Sequence, residues 1–85
     1  PVPELSEERR QELTKMVKNR AEEARVEIRN IRREAIDAAR KAEKASDITE
    51  DDLDDLTRQI QKLTDDHIEQ VDEKLNEKTE ELMEV

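Results

Sequence analysis

Arginines at helical spacing dominate the segment Arg25-Val-Glu-Ile-Arg-Asn-Ile-Arg-Arg-Glu34, inside a chain that is otherwise strongly acidic. The sequence has 25 Asp and Glu against 16 Lys and Arg, a formal net charge of −9. Residues 1–46 hold 12 basic and 10 acidic residues, while residues 47–85 hold 4 and 15. Concentrating arginine on one segment of an acidic chain points to a specific anionic partner there rather than to a general coat on nucleic acid. At about 100° per residue, Lys18, Arg25, Arg29 and Arg32 fall within about 60° of one another, and Arg33 lies further round the same side. The planar guanidinium fork grips phosphate through two hydrogen bonds and stacks on bases. No aromatic residue is present to stack single-stranded bases, so phosphate and shape contacts to structured RNA fit better. The plainer alternative is a solvated face on which Glu22 and Glu27 pair with the arginines.

Other chemistry is thinly represented. The sequence has no Gly, so it lacks the backbone positions that phosphate-cradling loops require. It has no Cys, hence no disulfide framework and no thiolate metal site; a reducing compartment is compatible with this. His67 stands alone on the apolar face between Leu63 and Val71 and reads as a neutral filler, not a metal ligand. The acidic run Glu50-Asp-Asp-Leu-Asp-Asp55 lacks the Gly and ligand spacing of a calcium loop. Ser6 and Thr49 read as helix caps. No catalytic constellation, cofactor or metal is expected, and no enzymatic activity. There is neither a membrane-spanning apolar run nor a signal-peptide pattern. The chain opens on Pro1 and not Met, which reads as a processed product or an excised piece.

Long helices must position these residues. Prolines occur only at positions 1 and 3, and 48% of residues are charged. Ser6 caps a first helix with Glu7 and Glu8 in its first turn. Leu13, Val17, Ala21, Ala24, Ile28, Ile31, Ala35, Ala38 and Ala42 then recur at spacings of three and four, one apolar stripe. The arginines lie about 100° from the centre of that stripe and are expected to face solvent. Thr49 caps a second helix, with Ile48 and Leu53 placed as a hydrophobic staple. Its stripe is Leu53, Leu56, Ile60, Leu63, Val71, Leu75 and Leu82, with a phase shift near residues 64–68. The reading is an all-α fold, a long antiparallel helical hairpin: an entry linker over 1–5, helix 6–45, turn 46–49 and helix 50–84. A lone hairpin leaves part of each stripe uncovered, so a third helix or a second copy of the chain is needed to cover it. Self-association as a homo-dimer, with Leu63, His67, Val71 and Leu75 in or beside the contact, is the structural alternative to RNA binding.

The sequence also resembles a known family. Leu5-Ser-Glu-Glu-Arg-Arg10, Ala24-Arg-Val26, Arg29-Asn-Ile-Arg-Arg33, Ile48-Thr-Glu-Asp-Asp52, Ile60-Gln-Lys-Leu-Thr-Asp65 and Glu81-Leu-Met-Glu-Val85 look, in this order, like the C-terminal part of bacterial ribosome recycling factors. The resemblance implies the second and third helices of a three-helix bundle whose first helix and inserted β-rich domain are not represented, so 1–85 would be a partial bundle domain. It implies a cytoplasmic translation factor that binds large-subunit ribosomal RNA and, with elongation factor G, splits post-termination ribosomes. No membrane or DNA partner is expected. By resemblance, the RNA-binding motif carries over to Arg29, Asn30, Ile31, Arg32 and Arg33. Arg29 and Arg32 are the leading contacts, Arg25, Arg33 and Lys18 support them, and Ile31 falls in the core. Ribosome binding without efficient recycling is the expectation for such a partial domain.

Overall fold

Two helices account for nearly all of the structure, a computed structural model that describes residues 5–84. Helix α1 runs Glu7–Lys44 and α2 runs Glu50–Met83. They lie antiparallel in a rod 67 Å long and 15 Å across. The start of each helix follows from its capping chemistry. Ser6 Oγ accepts a hydrogen bond from Arg9 N at 3.1 Å. Thr49 Oγ1 accepts from Asp52 N at 3.0 Å, and the Asp52 carboxylate accepts from Thr49 N at 3.1 Å. This reciprocal box satisfies two otherwise orphaned donors, with Asp in the position usually taken by Glu or Gln. The expected linker over 1–5 falls mostly on residues 1–4, outside the described residues, as does Val85 of the closing motif.

The reversal is made without glycine. Ser46 adopts φ 62°, the left-handed region normally left to Gly or Asn. Ser46 N donates to Glu43 O and Asp47 N to Ala42 O, both at 2.9 Å. These two bonds form a Schellman closure that satisfies the last carbonyls of α1.

The helices touch along a line of small residues. Ala21 and Ala39 are 8% exposed and Thr64 is 6% exposed. Around that line Val17, Ile28, Ile36, Ile60, Ile68, Val71, Leu75 and Leu82 are half-buried. Thr64 Oγ1 donates to Ile60 O at 2.7 Å and Thr79 Oγ1 to Leu75 O at 2.8 Å. Each hydroxyl is thus satisfied within its own helix and brings no unpaired polar group into the contact.

Contact and apolar stripe do not coincide. Ile31 and Ala38, placed in the core by helical spacing, are exposed, Ile31 by 61%. On α2, Leu63 is 57% and Leu56 37% exposed. Ile36, Ala39 and Ile68 take their places against the partner helix. Both helices are therefore rotated toward the arginine side by about 50° relative to their centres of apolarity. The excluded edge lines an open apolar groove of about 310 Å³ along one side of the rod, with Ile28, Ile31, Ala35, Ile60, Leu63 and His67 in its walls. His67 Nδ1 is 2.7 Å from Leu63 O and donates to it, since a carbonyl only accepts. The ring is exposed on this groove and not enclosed.

This rotation is checked by paired substitutions. Ala39→Leu forces bulk into the line of closest approach and is expected to cost about 1–3 kcal/mol of stability. Ala38→Leu, one residue away on the groove side, should cost no more than about 0.5 kcal/mol. Thermal unfolding of both variants measures the difference, and equal losses would contradict the rotation.

Candidate nucleic-acid interface

Rotation toward the arginine side changes what each arginine does. Arg25 was expected to face solvent. Its side chain is only 18% exposed, because it lies at the edge of the contact and reaches across to α2. Its Nε donates to Asp72 Oδ1 at 2.8 Å and its Nη2 meets the same oxygen at 2.7 Å. Among the described residues this is the one salt bridge that joins the two helices; the others lie within a helix. Arg25 Nη1 also donates to Glu22 Oε2 at 3.0 Å. The hydrogen bond to Asp72 raises the guanidinium pKa above its ordinary value; desolvation opposes the shift, and Glu22 adds to it. A cation whose pKa rises on folding contributes stability at every pH below its unfolded value, lost only as pH climbs through the folded one. Arg25 thus stays charged throughout the physiological range.

Arg29, one turn further on, is half-buried and sits 3.8 Å from the other oxygen of Glu22. That distance is an ion pair but too long for a hydrogen bond, so among the described residues the side-chain N–H donors of Arg29 make no hydrogen bond and can serve an anion. Arg32 is half-buried, not solvent-facing as expected. Its Nη1 makes a 3.4 Å contact with Gln61 Oε1 on α2, its Nε is buried without a partner, and its stem helps line the apolar groove. Arg33 is exposed and donates to Asn30 Oδ1 at 3.0 Å. Lys18 is exposed about two turns before Arg25, beside Arg10, Lys15 and Met83. The arginines therefore cluster through residues 25–33, while Lys18 stands apart toward the open end of the hairpin. Glu22 pairs as expected from sequence; Glu27 forms no salt bridge among the described residues.

Two residues that organise this edge, Asp72 and Gln61, were not singled out from sequence. They lie on the far helix, and their partnership depends on the register of the hairpin. With the reversal fixed at residues 46–49, counting outward equally along both helices sets Arg25 across from Gln70 and Arg32 across from Leu63, and the observed partners Asp72 and Gln61 each lie two residues from those positions. That count was the available signal. Among the described residues, no group of His, Cys, Asp or Glu could hold a metal ion, and no helix is long and apolar enough to cross a membrane.

Comparison with known proteins decides the family. The family profile described as "Ribosome recycling factor" matches residues 1–83. The chain belongs to the ribosome recycling factor family. It is 55% identical over 84 residues to a ribosome-recycling factor of Halalkalibacterium halodurans, covering 99% of this chain and 45% of the relative. It is 58% identical over 83 residues to that of Caldicellulosiruptor saccharolyticus, covering 98% and 45%. It is 51% identical over 84 residues to that of Bacillus subtilis, covering 99% and 45%. The chain thus spans less than half the length of the curated relatives it matches. Ribosome recycling factors are translation factors and not enzymes.

Proposed function

We propose that this chain is a ribosome-binding part of a ribosome recycling factor, and that it docks on large-subunit ribosomal RNA through the arginine edge of the hairpin. Arg29 and Arg32 are the leading contacts and Arg33 supports them from the exposed side. Arg25 is a bound member of the cluster, and Lys18 is an outlying electrostatic contact. The observation that carries the reading is the state of Arg29. It is held in place by Glu22 at 3.8 Å, yet its hydrogen-bond donors remain unspent. Arg32 and Arg33 lie within one further turn, and neither has a carboxylate partner among the described residues. Arg29, Arg32 and Arg33 lie within about 6 Å of helix rise, which concentrates three cations where backbone phosphates of a folded RNA strand can meet them. Within the same reading the setting is the cytoplasm, elongation factor G is the partner in splitting post-termination ribosomes, and this chain binds without completing that reaction alone.

The second reading is self-association of two hairpins into a four-helix bundle. The open groove favours it, because Ile31, Leu56 and Leu63 leave an apolar surface along one side of the rod. Arg20, Lys74 and Lys78 line its continuation toward the open end, while Glu50, Asp51 and Asp52 sit at the turn. Antiparallel pairing of two copies would bring these opposite charges together. Both readings can hold at once, since Arg29 and Arg33 lie off the groove and only the stem of Arg32 borders it.

Ribosome pelleting at two salt concentrations tests the first reading. Arg29→Ala should weaken binding by about 1.5–3 kcal/mol, the range of one charge-assisted contact, while helicity and melting stay unchanged. Arg32→Ala should weaken binding similarly but also lower the melting temperature, because its stem packs in the contact. Glu73→Ala, on the exposed face of α2, is the reference. Equal binding by Arg29→Ala, Arg32→Ala and Glu73→Ala would leave the arginines as a solvated edge. For the second reading, sedimentation should show a dimer that Leu63→Glu converts to monomer; a folded monomer at high concentration in the unmodified chain would exclude it.

A further inference from the structure

The arginine edge contains more acid than a phosphate-binding surface needs, and the acids are placed in a chain. Asp72 on α2 takes two donors of Arg25, at 2.8 and 2.7 Å. Arg25 passes a third donor to Glu22 Oε2 at 3.0 Å. The other oxygen of Glu22 faces Arg29 at 3.8 Å. The side chain of Arg25 is 18% exposed, and those of its acids 50% and 59%. Held from the opposite helix at one end, the series reaches the guanidinium best placed to meet an anion at the other.

We propose that Asp72 is a positioning residue for RNA binding: through Arg25 and Glu22 it fixes the orientation of Arg29. This rests on the reading above, in which Arg29 contacts phosphate. The physical reason is preorganisation. A free arginine side chain has several rotatable bonds, and ordering it at the moment of binding subtracts from affinity. Glu22 can order Arg29 only if its own carboxylate is fixed. Arg25 does that, and Arg25 is in turn fixed by a group on another helix that does not move with α1 side chains. The ion-pair distance orders the Arg29 guanidinium without consuming its donors.

The proposal reverses the sign that charge alone predicts. Removing an acid beside a cation cluster should strengthen attraction to phosphate. Removing a positioning residue should weaken it. The probe is purified ribosomes, with the 85-residue chain and its Asp72→Asn variant measured across a salt series. Asp72→Asn should bind about five- to tenfold more weakly at about 0.1 M salt, with a salt dependence shallower by about one phosphate contact. The loss should nearly vanish when Asp72→Asn is introduced on top of Arg29→Ala, because the two act through one contact. A loss caused by partial unfolding would instead keep the full slope and add to the effect of Arg29→Ala. Asp55→Asn, the same charge change away from this edge, should bind no more weakly than the unmodified chain. If Asp72→Asn does not fold by circular dichroism, Glu22→Gln carries the same test from within α1, with the same three expectations. Tighter or unchanged binding by a folded Asp72→Asn, while Arg29→Ala still weakens it, overturns the positioning role alone. Unchanged binding by Arg29→Ala overturns the phosphate reading and this inference with it.

Discussion

Two helices can bury only the strip along which they touch, and here that strip is narrower than the apolar stripe each helix carries. The hairpin closes along a line through Ala21, Ala39 and Thr64, its most buried residues. Small residues let the helix axes approach, and close approach maximises dispersion contact with the flanking aliphatics. Closing there leaves Ile31, Leu56 and Leu63 outside on one edge and draws Arg25 and Arg32 into the contact on the other. The apolar groove and the partly buried arginine edge are thus two consequences of one packing choice.

The same choice divides labour among cations that look equivalent in sequence. Arg25 becomes a tie between helices, Arg32 a packed stem with a polar head, Arg29 a guided but unspent donor, and Arg33 an open one. An exposed ion pair contributes little to stability, since water screens it and ordering two long side chains costs entropy. Arg25 with Asp72 differs in being largely covered on the arginine side and in spanning two elements. Its structural effect is to fix register, because sliding one helix along the other would separate the two charges. It also links fold to function: the group that holds α2 against α1 is the group next to the proposed RNA contact.

Much of this was legible in the residues. The caps at Ser6 and Thr49 and the reversal between Lys44 and Glu50 follow from local chemistry, which a sequence displays directly. The family was legible too, through motifs spread along the chain, and the match over residues 1–83 agrees. The packing face was not. Helical spacing locates the centre of apolarity, whereas the contact of this pair runs to one side of it, through Ala21, Ala39 and Thr64. Ile31 and Ala38 were therefore placed inward, and Arg25 and Arg32 outward, each on the wrong side of the boundary. Asp72 was hidden for a different reason: an acid among fifteen in the second half acquires meaning only when register sets it across from Arg25. Ser46 was hidden because a left-handed position filled by a residue other than Gly leaves no mark in a chain that has no Gly at all.

The central claim is that RNA meets the arginine edge and not the groove. The absence of cysteine allows one to be introduced at a chosen site without competition. An iron chelate tethered at Asn30→Cys, beside Arg33, generates hydroxyl radicals that cut nearby RNA; the same chelate at Gln70→Cys reports from the groove side. With the chain bound to ribosomes, strong and localised cleavage of large-subunit RNA is expected from position 30, and little from position 70. Cleavage from position 70 alone, or equally from both, would contradict the account.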